Sequence, residues 1–453
     1  MRFAAAAFAT AFMTLPAAAD QATPGKLAGH AIVPALSFFN PPADAPADLA
    51  ISGKFTATNK KRVDAPETIM GTSFLSAKDA PRETGIKLPF KGQPMQGFSG
   101  LKSLGNGVFM VLQDNGYGAK ANSADAMLVL HKIKPDWTSG KVEILETIFL
   151  HDPDKKLPFQ IALEGTAKRY LTGADLDVES FQTIGDQIWI GDEFGPYLIR
   201  VDMTGKVNAF VETEVDGKPA RSPDHYMVST PAVPGGAVPF NVRRSRGYEG
   251  MAASKDGRFL YPLLEGPLWV EATKSWETDG DREYLRILEF DVGAQKWTGR
   301  FWKYKLEVNN NNIGDFNMID ATTGLIIERD NGEGEAWQGC TGAAKPDCFN
   351  EPAKFKRIYK IEMNDANAGS FARKVAHLDL LAIKDPDKKA KQGSKEGVFT
   401  FPFVTIEGVD VVDDRHIIVA NDNNLPYSMG RALGKQDDNE LILVDATDLL
   451  KAK

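Results

Sequence analysis

The sequence predicts an all-β fold assembled from repeated four-stranded units, and three observations carry that prediction. Its 41 glycines and 26 prolines are spread along 453 residues rather than gathered in linkers, which suits many short strands and turns better than long helices. Apolar runs of about six residues alternate with turns built from Gly, Asp or Asn. One plan also recurs five times: "GFSGLKSLGNGVFMVLQDNG" (97–116), "DVESFQTIGDQIWIGDEFG" (177–195), "GYEGMAASKDGRFLYPLLEG" (247–266), "GDFNMIDATTGLIIERDNG" (314–332) and "IEGVDVVDDRHIIVANDNN" (406–424). Each unit has a polar opening, a strand, a turn, a second apolar strand and an acidic exit.

A further strand pair follows each unit, visible in "AMLVLHKI" (126–133), "YLIRVD" (197–202), "YLRILEFD" (284–291), "KRIYKIE" (356–362) and "ELILVD" (440–445). Four strands per unit, recurring along the chain, is the signature of a β-propeller rather than a sandwich. The openings lie about 66 to 92 residues apart, against roughly 40–45 in a compact propeller repeat, so long loop insertions are required. Two are visible, 216–246 and the segment 335–355 that holds the cysteines. Ahead of the first unit, "LAISGKFTAT" (49–58) and "TSFLSAK" (72–78) predict strands that join C-terminal strands in a sixth blade. Joining the two chain ends closes the ring and removes exposed sheet edges. The expectation is a single propeller domain over 20–453 with five or six four-stranded blades, six being favoured.

The first residues, "MRFAAAAFATAFMTLPAAAD", show one Arg, an apolar stretch over 3–15 and an A-x-A site before Asp20. This is the pattern of a secretory signal, so 1–19 is expected to be removed on export to the periplasm or the medium. No later stretch approaches the roughly 18 apolar residues of a membrane helix. The net charge of −8 argues against nucleic-acid or anionic-membrane partners, whose phosphates would be repelled. It leaves small esters open, since a local basic cluster or a bound cation reverses the field. The two cysteines, Cys340 and Cys348 in "GCTGAAKPDCF", read in an exported chain as a disulfide closing a surface loop. A metal-binding pair would need further Cys or His nearby, and there are none.

In a propeller the first strand of each blade starts at one face, and the loop after the second strand returns to it. Openings (Ser99, Glu179, Glu249, Asn317, Glu407) and exits (Asp114, Asp192, Glu193, Glu265, Asp330, Asn421, Asp422) therefore converge around one mouth of the central channel. So many carboxylates would repel one another and raise their pKa values unless a cation binds. Oxygen-only ligands on several loops suit Ca²⁺ better than the strict octahedron of Mg²⁺. Glu179, Glu249 and Glu407 are the catalytic candidates, because Glu is a poor turn former and recurs at one place in three repeats. Asp114, Asp192, Glu193, Asp330 and Asp422 are the metal candidates. Asp and Asn beside Gly are also ordinary turn residues, and "DNG" at 114–116 and 330–332 fits both roles.

A basic counterpart precedes the third opening: "NVRRSRGYEG" places Arg243, Arg244 and Arg246 on the loop entering that strand, and Arg329 flanks an exit. These guanidinium groups either grip a phosphate or neutralise the acidic ring. Among the aromatics, Trp269, Trp302 and Trp337 are candidates to serve binding, whereas Trp189 in "IWI" is expected in the core.

At "GFSGL" (97–101), "DVESF…IWIGDEFGPYLIRVD" (177–202), "GYEGMA" (247–252), "ERDNG" (328–332) and "GVDVVDD" (408–414), the chain resembles the phytase-like propellers described by an esterase-like activity of phytase. The resemblance spans 97 to 445 and implies a calcium-associated propeller that hydrolyses phosphate or other esters. Three functions follow. The first is a Ca²⁺-dependent phosphoric-ester hydrolase acting on a small substrate. The second is a carboxylic-ester or lactone hydrolase on the same cation. The third is a calcium-stapled propeller that only binds. A serine nucleophile is disfavoured, since "GFSG" lacks the G-x-S-x-G spacing and no His stands near an opening.

Overall fold

The computed structural model describes residues 20–72, 82–114, 116–229 and 239–453. The expected signal segment 1–19 lies outside the described residues, as does nearly all of 72–78. Within them the chain is almost entirely β: one five-residue α-helix, Thr447–Lys451, stands against five four-stranded antiparallel units, of which the first and the fifth are joined in one larger sheet. No described helix is long and apolar enough to cross a membrane.

The sheets follow the repeats in chain order. The first is Phe98–Gly105, Val108–Gln113, Val129–Asp136 and Lys141–Phe149; the second is Val178–Ile184, Gln187–Asp192, Tyr197–Asp202 and Val207–Glu212. The third is Tyr248–Ala253, Phe259–Leu264, Arg282–Asp291 and Lys296–Lys305; the fourth is Asn312–Met318, Thr323–Arg329, Lys356–Glu362 and Arg373–Asp379. The fifth joins Ile406–Val411, His416–Asn421 and Asn439–Asp445 to an outer strand from the other end of the chain, Lys26–Val33.

Local chemistry explains the meanders. In the second sheet Ile184 pairs with Gln187, so only Gly185 and Asp186 form the turn, and Gly185 takes the positive φ of 62° that the first position of such a tight turn requires. Each sheet packs its apolar residues against the next. Met110 and Leu130 of the first sheet meet Phe181 and Ile190 of the second; Trp189 and Leu198 of the second meet Met251 and Leu260 of the third. Similar clusters join the third to the fourth, the fourth to the fifth, and, through Phe98, Val111, Ile418 and Leu441, the fifth back to the first. The first strands of the five sheets are neighbours around a closed cycle, which is the arrangement of a β-propeller.

Five four-stranded units are traced among the described residues, one of the two counts expected. The ring does close by joining the chain ends, but through Lys26–Val33 rather than 49–58, of which only Ile51–Ser52 is a strand, paired with Phe90–Lys91. The Lys26–Val33 strand was missed because it reads as one more short apolar run with no opening or exit beside it. Trp189 is 1% exposed, as expected of a core residue, and Cys340 and Cys348 form the expected disulfide.

Candidate functional site

Strand pairing decides where the acids meet. Phe98 pairs with Gln113, Val178 with Asp192, Tyr248 with Leu264, Ile313 with Glu328 and Ile406 with Asn421, so these pairs are equivalent in the five blades. One residue further along the first strand gives an inner row of Ser99, Glu179, Glu249, Gly314 and Glu407. One residue beyond the second member of each pair gives an outer row of Asp114, Glu193, Glu265, Arg329 and Asp422. Apart from Ser99 and Gly314, every member lines one cavity of about 420 Å³.

Glycines let the rows come this close. A Cβ on Gly97 would stand 1.5 Å from Asp422 Oδ1, and one on Gly247 would stand 2.5 Å from Glu193 Cα. The Gly that precedes these openings is therefore required by close approach of the neighbouring blade's exit. Below the mouth the axis is tied across. Asn317 Oδ1 accepts from Lys102 Nζ (2.7 Å) and Gln182 Nε2 (2.8 Å), and its Nδ2 donates to Val409 O (2.8 Å). Asn317 thus braces four blades from within the channel rather than standing at the mouth as an opening residue.

Eight carboxyl groups but only two guanidinium groups line the cavity. Burial, reinforced by neighbouring acids, drives Glu179, Glu193, Glu249 and Asp422 well above the usual carboxylate range. Burial, with help from Asp177 and Glu407, pushes Asp114 up to about 8. One oxygen each of Glu193, Glu249 and Glu265 lies within 4.8 Å of the others, and the same holds for Asp177, Glu179 and Glu193. Oε1 of Glu193, Glu249 and Glu265 is buried without a hydrogen-bond donor. Oxygens around one Ca²⁺ at roughly 2.3–2.6 Å stand at most about 5 Å apart, so this donor set fits that ion.

The two arginines at the mouth are differently placed. Arg246, partly exposed, lies 2.6 Å from Glu265 Oε2. Arg329, 3% exposed, lies 2.8 Å from Glu407 Oε1 and 3.8 Å from Glu249 Oε1. Ser99 Oγ donates to the other oxygen of Glu407 at 3.2 Å.

Four of the residues expected at the mouth are turned elsewhere. Asp192 accepts from the backbone N–H groups of Asp177 (2.8 Å) and Gly195 (2.7 Å), bracing the loop rather than facing the cavity. Arg243 lies over the Trp276 ring (4.4 Å) and pairs with Glu283 (2.8 Å); Arg244 pairs with Asp224 (2.5 Å) on the exposed rim. Asp330 accepts from Lys354 N and Phe355 N and lies 2.9 Å from Lys356 Nζ, which is fully buried. It is displaced because the fourth sheet keeps Arg329 as its last ladder residue, one position later than the other sheets keep theirs.

Asp330→Ala is therefore expected to strand the Lys356 ammonium and to destabilise the protein by about 3 kcal/mol in urea unfolding, while calcium affinity measured by calorimetry stays unchanged. Loss of affinity in proportion to stability would return Asp330 to the ligand set.

Sequence reasoning missed Asp177 as a site residue, although it stands two positions before Glu179 and strand period alone puts the two on one side. It also misaligned the fourth repeat, where Gly314 rather than Asn317 is the counterpart of Glu249. The misalignment hid the equivalence of Arg329 with the acidic exits.

The sequence matches the family described as "Phytase-like: Esterase-like activity of phytase" over residues 93–425. No curated protein matches the chain. Among solved structures, the periplasmic gluconolactonase of Pseudomonas aeruginosa is similar at 11% identity and a TM-score of 0.31, over 83% of this chain and 99% of that one. A glycoside hydrolase from Bacteroides ovatus, titled as putative, is similar at 10% identity and a TM-score of 0.36, over 92% of this chain and 98% of that one. The WD40 β-propeller domain of Doa1 is similar at 10% identity and a TM-score of 0.29, over 79% and 95% respectively.

Proposed function

For a chain that belongs to the phytase-like family described by an esterase-like activity of phytase, we propose hydrolysis of small phosphoric esters at a calcium ion in the acidic mouth. The observation that carries the proposal is that Glu193, Glu249 and Glu265 bring one carboxylate oxygen each within 4.8 Å of the others, beside a guanidinium at the cavity rim. When bound, calcium supplies a Lewis acid for the phosphoryl oxygens and a site that orients water.

The chain's own groups do the rest. Arg246, the more exposed of the two guanidiniums, meets the incoming phosphate and orients it by paired N–H donors. Glu407 is committed to Arg329 and Ser99, so its charge serves the scaffold. Glu179 has no such commitment to a cation, and burial beside Asp177 makes it a stronger base than an ordinary carboxylate, so it accepts the proton of the attacking water. The short leader expected over 1–19 and the Cys340–Cys348 disulfide support placing this activity outside the cytoplasm.

Cation binding and protonation compete for the same oxygens. Burial raises the carboxyls of Glu179, Glu193, Glu249, Glu265 and Asp422 above the usual carboxylate range and Asp114 to about 8, so the folded chain holds more protons than the unfolded one between about pH 4 and 8. Without calcium, stability is therefore expected to fall as pH rises from about 4 to about 8. Apparent calcium affinity is expected to rise over the same span. Melting curves with and without chelator across this range check both signs; a flat cation-free profile would remove the electrostatic basis of the site.

The function itself is tested with phosphate monoesters, phosphate diesters and carboxylic esters, using protein stripped by chelator and then reloaded with Ca²⁺. Phosphate release restored by calcium supports the proposal. Turnover of carboxylic esters alone moves the reaction to the second class, and calcium-dependent stability without turnover leaves a binding propeller.

A further inference from the structure

The fourth blade differs from its neighbours on both sides in two places at once. Where the second, third and fifth blades put a Glu in the inner row, the fourth has Gly314. A Cβ there would meet Ile406 O at 2.3 Å and Glu407 Cα at 3.1 Å, so no side chain fits. Where the other four blades put an acid in the outer row, the fourth has Arg329. Its guanidinium reaches back across the gap to carboxylates of both neighbouring blades, Glu407 at 2.8 Å and Glu249 at 3.8 Å.

A cation held between carboxylates of separate blades is what a metal ion would be at that point. Arg329 differs only in being tethered. It is buried, its Nε finds no hydrogen-bond partner, and Glu249 Oε1 beside it is likewise without a donor. The contacts Arg329 makes are thus ion pairs across blades rather than a saturated hydrogen-bond network.

We propose that Arg329 is a built-in counter-ion occupying a second cation site of the mouth, between Glu249 and Glu407, and that it confines the free calcium to the Glu193 side. This rests on the cation-binding mouth proposed above. It assigns Arg329 a positioning role: by holding Glu249 and Glu407 it leaves Glu193, Glu265 and one oxygen of Glu249 to the exchangeable ion. A guanidinium cannot be exchanged or chelated, so the Glu249–Glu407 side keeps one positive charge when calcium is absent.

The test is calcium titration by isothermal calorimetry of chelator-stripped wild-type protein, Arg329→Met and Arg329→Lys, with melting temperature in chelator and in calcium as a second readout. Arg329→Met keeps the length and removes the charge. It is expected to bind one more calcium per chain than the wild type, to melt lower in chelator, and to recover the wild-type melting temperature in millimolar calcium. Arg329→Lys keeps a tethered cation and is expected to retain the wild-type stoichiometry.

An unchanged stoichiometry in Arg329→Met, or an extra ion in Arg329→Lys, overturns the proposal. So does an Arg329→Met chain that cannot be folded even with calcium present, because a free ion should then replace the lost charge. A wild type that binds no calcium while Arg329→Met binds one would sink the calcium site on the Glu193 side yet leave this inference standing. A wild type that binds calcium with no gain in Arg329→Met would do the reverse.

Discussion

Glu193→Gln is expected to raise the stability of the calcium-free protein and to abolish its response to calcium. Glu193 is the residue shared by both carboxylate triplets at the mouth, so it is the side chain whose charge is felt by most neighbours. Burial and then Glu265 and Asp177 push its carboxyl well above the usual range, which means that ionising it costs the fold free energy. The amide keeps the shape and removes the charge. Each pKa unit of repulsion relieved is worth about 1.4 kcal/mol, so a gain of at least that order is expected at pH 8 in chelator.

The same substitution removes a ligand oxygen from the best-formed donor set. Calcium-dependent ester hydrolysis is expected to fall by about 10²–10³-fold, several kcal/mol of transition-state stabilisation. The two effects have opposite signs, and a residue with a merely structural role would not show both. Urea unfolding in chelator and in calcium, together with turnover, measures them. A Glu193→Gln protein still stabilised by calcium as strongly as the wild type would exclude Glu193 as a ligand.

Each signal in the sequence is legible to the extent that local chemistry fixes it. The acids at the openings and exits were legible because strand alternation and hairpin pairing fix one edge, and Glu179 and Glu193 do face one cavity. The fourth repeat was not: all five first strands carry a register shift just after the opening, but in the fourth the inner-row position is Gly314, which has no polar side chain to mark it, so Asn317 draws the alignment instead. Asp192 and Asp330 show the other limit. Both are acidic exits in sequence, yet each is satisfied by backbone N–H groups. Composition cannot separate an acid that caps a loop from one that waits for a cation.

Arg243 and Arg244 fail for a related reason: three arginines in one loop look alike, but only Arg246 follows the turn that carries it inward to Glu265. Closure was expected in kind and missed in place. A strand that completes a distant sheet carries no local mark of its partner. Only the antiparallel register of Lys26–Val33 with Asn439–Asp445 reveals it.

That register has the largest consequence for the mouth. Deleting residues 20–33 is expected to leave the chain unable to hold a closed ring. The strand buries Leu27, Ala31 and Val33 completely or nearly so, and it brings His30 Nε2 to within 3.0 Å of Glu440, a carboxylate fully buried beside Arg431. Without it, Asn439–Asp445 becomes a long apolar edge strand next to a partly unpaired charge cluster, which invites aggregation. Loss of the buried Leu27, Ala31 and Val33 side chains together with a ladder amounts to more than about 5 kcal/mol, comparable to the whole stability of a typical domain.

The mouth is involved because Glu407 and Asp422 belong to that fifth sheet while Asp114 belongs to the first. If closure sets their spacing, adding a synthetic peptide of residues 20–33 to the truncated chain should restore both a cooperative melt and its shift by calcium. A truncated chain that melts cooperatively and responds to calcium with no peptide added would show that four strands per blade are not needed to shape the site.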